Sequence, residues 1–279
     1  MGSIPITRSN PRMKPETVLI TGASSGIGRE LARCFAADRS RLVLAARRTD
    51  ALESLAAELR QASGIEAVIL AADLARSEAA ARVFSQIERD GLEVDVLVNN
   101  AGFGAQGLFA KLPLDRQLEM VQLNVTTLTH LTRLFLPGMI ARQQGGILNV
   151  ASTAAFQPGP HMAVYYASKA FVLSFSEALS EELSGTGVTV TALCPGPTAT
   201  GFGEAARMRR QPLFRLLTMS ASSVAKAGHR GFRRNRALVI PGVRNRLLTF
   251  SVRLAPRWLP RRIVGRSEEH TSELQSHHP

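Results

Sequence analysis

The sequence predicts an α/β fold: one doubly wound parallel sheet flanked by helices on both faces. Three observations predict it. Short β-branched and aliphatic runs alternate with longer helical stretches, the order that builds a parallel sheet covered on both sides. The first run, Thr17-Val-Leu-Ile-Thr21, opens directly into the glycine-rich turn Thr21-Gly-Ala-Ser-Ser-Gly-Ile-Gly28, and a stretch of helical composition follows from Arg29 to Ala37. The 279 residues, 45% of them hydrophobic, contain no Ser/Pro-rich linker and no internal repeat, so a single buried core is expected.

Each element can be justified in order. An unbroken apolar run such as Thr17–Thr21 suits a strand buried on both faces. In the turn, Gly22 permits the tight bend, Gly26 lets the backbone approach a pyrophosphate, and Gly28 lets helix pack closely on strand. Ser24, Ser25 and Ile27 complete the loop, and the helix that follows presents its positive N-terminus to an anion. The spacing differs from G-x-G-x-x-G, and three glycines could serve a sharp reversal alone. The strand before and the helix after favour a nucleotide. The second strand, Arg41–Ala46, ends in Arg47-Arg48, and further strands are expected at Ala67–Ala71, Val94–Val98, Gly146–Val150, Val188–Leu193 and Ala237–Ile240.

Chemistry enters at Ala163-Val-Tyr-Tyr-Ala-Ser-Lys169, whose Tyr165 lies thirteen residues after Ser152. Side chains at i and i+4 share one helix face, so the Tyr165 phenol and the Lys169 ammonium can reach one pocket. A nearby cation lowers a phenol's pKa from its usual value of about 10 and makes it a general acid/base. The same spacing arises by chance on many helices. The glycine turn upstream, placed where a nucleotide-binding unit should begin, weights the catalytic reading.

Together these motifs resemble the short-chain dehydrogenase/reductase family, from Glu16 to about Gly242. Seven stand in the family's order: Thr21–Gly28, Asp73-Leu74, Asn99-Asn-Ala-Gly102, Asn124 in Leu123-Asn-Val125, Ser152, Tyr165 with Lys169, and Pro195-Gly-Pro-Thr-Ala-Thr200. The resemblance implies a Rossmann-like domain in which Ser152 orients the substrate carbonyl and Tyr165 exchanges the proton. By the same resemblance Lys169 lowers the Tyr165 pKa and holds the nicotinamide ribose, and Asn124 completes a water-linked proton relay. It implies cofactor contacts at Gly22, Ser24, Ser25, Gly26, Ile27, Gly28, Asp73, Leu74, Asn100, Ala101, Gly102, Pro195, Gly196, Thr198 and Thr200, besides Tyr165 and Lys169. Asp73 has a second reading as an N-terminal cap of the helix after it. Tyr166, the other tyrosine, is read as a packing residue. Ser152 can also be read as part of a small-residue strand end, with Thr153 sharing its hydrogen bonding.

The cofactor preference follows from the end of the second strand. A carboxylate there would hold the ribose hydroxyls of NAD and repel a 2′-phosphate. Ala46 stands in that place, with Arg47 and Arg48 next, and a guanidinium holds a phosphate through charge-assisted bonds. NADP(H) is expected over NAD(H), with Arg47 the preferred ligand and Arg48 the second candidate.

Two cysteines, Cys34 and Cys194, and six histidines show no metal-ligand spacing, so no metal is expected and the thiols read as buried groups in a reducing compartment. His161 is the one histidine near the catalytic segment, and a solvent-facing position is the preferred reading. No signal peptide or spanning segment is read, which makes the expectation a cytoplasmic protein. Residues 1–15 read as a flexible N-terminal segment, 16–243 as the catalytic domain, 244–265 as a basic amphipathic segment and 266–279 as a non-native tail. Arg266 to Ser276 resembles an in-frame translation of a DNA-sequencing adapter.

The formal charge is +12 and the tail contributes −2, which leaves +14 on residues 1–265. Fifteen Lys or Arg and no Asp or Glu lie between Ala205 and Gly265. Within that stretch Leu247, Phe250, Ser251 and Leu254 share one helical side, before Pro256-Arg-Trp-Leu-Pro260. This segment either packs its apolar side on the fold or a sister subunit, or lies on an anionic membrane; packing is the preferred reading, and no specific nucleic acid is expected. Substrate recognition is expected from Ala199 to about Ser220, where Phe202, Met208, Leu213, Phe214, Leu216 and Leu217 suit an apolar carbonyl or alcohol. A homodimer or homotetramer is expected. The functional expectation is NADP(H)-dependent hydride transfer, and the rival is a non-catalytic NADP(H) sensor or membrane-surface scaffold.

Overall fold

A computed structural model describes residues 15–200 and 218–254. The expected lid residues Phe202, Met208, Leu213, Phe214, Leu216 and Leu217 lie outside the described residues, as do the 266–279 tail, Pro256 to Pro260 and the side chain of Leu254. One half of the sheet is built by β1 (Thr17–Thr21), α1 (Gly26–Ala37), β2 (Arg41–Ala46), α2 (Thr49–Ser63) and β3 (Ala67–Ala71). The other half begins with α3 (Ala79–Arg89), β4 (Val96–Asn99), α4 (Leu114–Val121), a π-helical turn (Gln122–Thr127), α5 (Leu128–Ala141) and β5 (Gly145–Val150). It continues through a 3-10 turn (Thr153–Phe156), α6 (Ala163–Glu182), β6 (Val188–Leu193), the short β7 (Thr198–Ala199) and β8 (Met219–Ser220), α7 (Ala221–Arg233), β9 (Leu238–Val239) and α8 (Val243–Leu254).

Seven parallel strands run in the order β3-β2-β1-β4-β5-β6-β9. The expected doubly wound parallel sheet is present, with each expected run supplying one strand. The last is trimmed to Leu238–Val239, because Pro241 has no N–H to continue a ladder in which Cys194 N already donates to Val239 O. Chain order reverses between β1 and β4, which opens a crevice beyond the carboxyl ends of these strands.

Strand alternation explains why β1 is buried along its whole length. Val18 and Ile20, with Leu42, Leu44, Val96 and Val98, face Leu31, Phe35, Leu52, Leu55 and Phe232 of the helices on one side. Leu19, Val43, Leu97 and Ile147 face Val83, Ile87, Leu131, Phe135 and Met139 on the other. Each such side chain contributes about 1.5–3 kcal/mol by leaving water. Arg233 of α7 closes the first side at its lower edge, donating to Glu16 at 2.8 Å and to Asp38 at 2.8 Å.

Helix α1 starts at Gly26, earlier than the Arg29 start read from composition, because the glycine turn winds straight into it. Gly22 and Gly26 have φ of 66° and 59°, the left-handed region where a side chain is strained. Gly28 acts differently from expectation. A Cβ there would collide with the Asn100 amide and lie 2.5 Å from the Gly22 carbonyl oxygen. Its lack of a side chain therefore serves Asn100, which donates to Thr21 O at 2.9 Å and Gly22 O at 3.2 Å.

The basic C-terminal segment also departs from expectation. α8 begins at Val243 and turns Asn245 and Thr249 inward, while Leu247, Phe250 and Ser251 face solvent. The reading in which its apolar side packs on the fold is corrected: local bonds satisfy the buried polar pair, with Asn245 Nδ2 donating to Pro241 O just before the helix and Thr249 Oγ1 to Asn245 O within it. The helix crosses residue 244 and packs on the 3-10 turn and beside Gly196. No described helix is long and apolar enough to cross a membrane.

Gly28→Ala is expected to lower stability by about 1–3 kcal/mol, since a rigid backbone oxygen and the Asn100 amide must both shift. A thermal melt of the purified variant checks it; an unchanged melting temperature would show that the turn yields freely.

Candidate active site

The crevice at the β1/β4 reversal is a cleft of about 620 Å³. All the residues expected to contact a cofactor line it except Gly28, which lies behind Asn100. One end is the glycine loop. Ser25, at the α1 N-cap, makes no side-chain capping bond, and the first turn of α1 contains no acidic residue. The N–H groups of that turn are left to face the cleft, and with the close backbone approach allowed by Gly22 and Gly26 they make a cradle for a diphosphate.

Beside the loop, Ala46 ends β2 with no carboxylate. Arg47 and Arg48 are exposed and line the cleft. Arg48 reaches back to the loop, with Nη2 3.3 Å from Ser24 Oγ and 3.4 Å from Ser24 O. Among the described residues the Arg47 guanidinium has no hydrogen-bonding or ionic partner. Asp73 accepts from Ala75 N at 3.3 Å and lies 3.5 Å from Arg76. It caps this turn and not α3, which starts six residues later at Ala79, so the helix-cap reading is corrected.

The other end of the cleft gathers Ser152, Tyr165 and Lys169. Ser152 caps the 3-10 turn after β5, where its Oγ accepts from Ala154 N at 3.1 Å and is also hydrogen-bonded to the Tyr165 phenol. Lys169 lies one helical turn beyond Tyr165, and its Nζ donates to Val150 O at 2.8 Å, 6.0 Å from the centre of the Tyr165 ring. Both side chains are buried. Thr153 donates its backbone N–H to Pro195 O at 2.9 Å, which ties the serine turn to the loop after β6.

Asn124 does not line the cleft. It sits in the π-helical turn with its amide fully engaged: Nδ2 donates to Phe103 O and to Ser168 Oγ, both at 3.0 Å, and Oδ1 accepts from Phe103 N at 3.2 Å. Neither amide hydrogen is left for a relay through this side chain. Gly102 fits here because a Cβ would lie 2.9 Å from Asn124 Oδ1 and 3.4 Å from Lys169 Nζ. Tyr166 packs edge-on against Tyr165 and under Gly159, as a packing residue should, and also lines the cleft. His161 lies away from it, at a small separate cavity.

A family model described as short chain dehydrogenase matches residues 16–211. The chain belongs to the short-chain dehydrogenase family. It is 37% identical over 198 residues to a short chain dehydrogenase of Pseudocercospora fijiensis, covering 70% of this chain and 64% of that one. It is 32% identical over 204 residues to the human very-long-chain 3-oxoacyl-CoA reductase, covering 71% of this chain and 63% of the relative. The chain thus spans a little under two thirds of the length of both. A short-chain dehydrogenase from Sphingobium yanoikuyae, solved in complex with NADPH, superposes with a TM-score of 0.76 at 37% identity, covering 82% of this chain and 88% of that one.

Electrostatics in this short-chain dehydrogenase differ from the expected pairing. Burial raises the Tyr165 phenol to about 12, opposed by its hydrogen bond with Ser152. Burial lowers Lys169 to about 8, so near neutral pH it remains a cation, close to losing its proton. Cys194, at the end of β6, is pushed up to about 12 by burial and is inert at neutral pH.

The motifs missed one wall of the dehydrogenase cleft. Asn245, Leu248, Thr249 and Val252 of α8 line it. The signal was present: Asn245 and Thr249 stand four apart in an otherwise basic and aliphatic run, so one helix face is polar.

The lysine makes a testable statement about stability. Unfolded Lys169 titrates near 10.5 and folded Lys169 near 8, so between these values the unfolded chain binds more protons and stability rises with pH. Compared with Lys169→Met, the wild type should gain roughly 2 kcal/mol between about pH 7.5 and 9.5 in urea unfolding. Parallel pH curves would show that Lys169 keeps an ordinary pKa.

Proposed function

We propose that the protein is an NADP(H)-dependent oxidoreductase that transfers a hydride between nicotinamide and the carbonyl or secondary alcohol of an apolar compound, with Tyr165 as general acid/base. The observation that carries this reading is the buried Tyr165 phenol, hydrogen-bonded to Ser152 with Lys169 one turn away, at the far end of a cleft that begins in an uncapped helix N-terminus. The NADPH held by the Sphingobium relative and the acyl substrate named for the human relative support the cofactor and the substrate class. A purely binding role is disfavoured because such a role has no need for a desolvated phenol.

Bound NADPH would supply the hydride. The diphosphate would lie on the α1 N-terminus, the 2′-phosphate against Arg47 with Arg48 beside it, and the adenine beside Asp73. Tyr165, with a pKa of about 12, is protonated at neutral pH, the form that donates a proton to a carbonyl oxygen as negative charge develops there. Ser152 Oγ polarises the same oxygen, held in position by the Ala154 N–H. Lys169 Nζ, anchored on Val150 O, places its charge beside the phenol and the ribose. In the oxidative direction the same phenol would act as the base after losing its proton.

The remaining expectations join this reading. Leu114, Leu118 and Val121 make an exposed apolar stripe on α4, which supports self-association as a homodimer or homotetramer. Cys34 and Cys194 are both free thiols, which suits a reducing, cytoplasmic setting.

Tyr165→Phe is expected to leave NADPH binding within about twofold and to lower kcat/KM about 10²–10⁴-fold on an established carbonyl substrate; full activity in the variant would sink the assignment. Nicotinamide fluorescence titration should show NADPH binding more tightly than NADH, and Arg47→Ala should weaken NADPH about 10–100-fold while leaving NADH nearly unchanged. Equal losses for both cofactors would remove the 2′-phosphate contact.

A further inference from the structure

The C-terminal helix α8 is built inside out. Its buried positions are polar, Asn245 and Thr249 at 4% and 6% exposure. Its outward positions include Val243, Leu247 and Phe250, at 70%, 64% and 61%. A helix on a protein surface ordinarily turns its apolar stripe to the core. Here the polar pair satisfies itself through Pro241 O and Asn245 O, and Asn245 also fills the space beside Gly196, where a Cβ would lie 2.5 Å from its Oδ1. The apolar residues are thus free to face outward.

Val243, Leu247 and Phe250 are four and three residues apart and fall along one side of the helix. Arg244 and Arg246 are exposed beside them, and Arg246 Nε is anchored on Ile240 O at 2.9 Å. No acidic residue occurs anywhere between Ala205 and Gly265. A face of this composition needs an apolar partner that carries negative charge.

We propose that the outward face of α8 docks on an anionic lipid bilayer, with Val243, Leu247 and Phe250 entering the interface and Arg244 and Arg246 on the headgroups. Charge complementarity selects this occupant over a second copy of the chain. A two-fold contact through α8 would set the same arginines against each other with no carboxylate on the helix to pair them, and like charges in contact oppose association. An anionic surface relieves that repulsion and takes up the apolar side chains.

The docking also orients the cleft. Leu248 and Val252 line it from the same helix that carries Leu247 and Phe250 outward, so the wall between cleft and bilayer is one helix thick. The orientation does not depend on the substrate being apolar, and the docking stands or falls independently of the catalytic assignment.

Co-sedimentation of the full chain with sucrose-loaded vesicles tests it. Wild-type protein should pellet with phosphatidylcholine vesicles containing about 30 mol% phosphatidylserine, and should not pellet with phosphatidylcholine alone. A Leu247→Ser/Phe250→Ser variant keeps every arginine and should lose at least about tenfold in vesicle affinity. Arg244→Gln/Arg246→Gln should lose a similar factor at about 0.1 M salt and much less at about 0.5 M, where charges are screened. Both variants should keep NADPH affinity and turnover of a water-soluble carbonyl, which shows that they fold. The proposal is overturned if wild type does not pellet, or if the serine variant pellets like wild type, since binding would then be diffuse attraction to arginine. It is equally overturned if the serine variant dissociates an oligomer in light scattering while vesicle binding is unchanged, because a second copy would then occupy the face.

Discussion

The Asn100 carboxamide is the contact on which the site depends. It bonds the carbonyl oxygens of Thr21 and Gly22, while its own backbone N–H and that of Ala101 donate to Thr21 Oγ1 at 2.9 and 3.0 Å. Thr21 Oγ1 in turn donates to Val98 O. These bonds lock the end of β1 to the end of β4, the two strands between which the chain order reverses. The crevice therefore has a rigid floor, and the glycine turn cannot drift relative to the strand that leads to Gly102 and the catalytic end. Two glycines make this possible, for Gly22 and Gly28 each vacate the space one side chain needs.

Burial sets the chemistry at the other end, and it acts with opposite sign on the two groups. It penalises the charged form of each, so the phenol rises to about 12 and the ammonium falls to about 8. Attraction between phenolate and ammonium is absent because near neutral pH the phenol carries no charge. What keeps Lys169 inside is the Val150 carbonyl, a neutral partner. Ser152 is held by the Ala154 N–H and so keeps its bond to the phenol without needing substrate to order it. Ser152 and Lys169 are positioned by backbone atoms of β5 and of the turn that follows it, which places the proposed catalytic groups on rigid elements.

Most of the fold was legible because parallel strands announce themselves. A strand buried on both faces reads as a nearly continuous run of apolar and β-branched residues, and the runs at Thr17, Arg41, Ala67 and Val188 match their strands residue for residue. The meeting of Tyr165 and Lys169 in one cleft was legible for a similar reason, since i and i+4 share a helix face whatever the context. Two features were not. The Tyr165 pKa depends on desolvation, which raises it and which no local spacing encodes. The π-helical turn that carries Asn124 depends on bonds to Phe103 and Ser168, one on a loop and one on another helix, so its tertiary origin left no mark in the local sequence.

Helix α8 misled for a different reason. Its apolar residues have the right spacing for a buried stripe, and a periodicity argument always turns that stripe inward. An apolar stripe turns inward only where water is the sole outer solvent. At this helix the inner side rests on the 3-10 turn and beside Gly196 and Met219 and faces a cleft, where a polar pair such as Asn245 and Thr249 suits the proposed carbonyl or alcohol substrate. Once those two positions are inward, helical geometry sends Leu247 and Phe250 outward with no freedom left to choose. The outward apolar face is then a consequence of what the cleft requires, and arginine without any acidic counterweight is the composition that makes such a face compatible with a charged lipid surface instead of with another copy of itself.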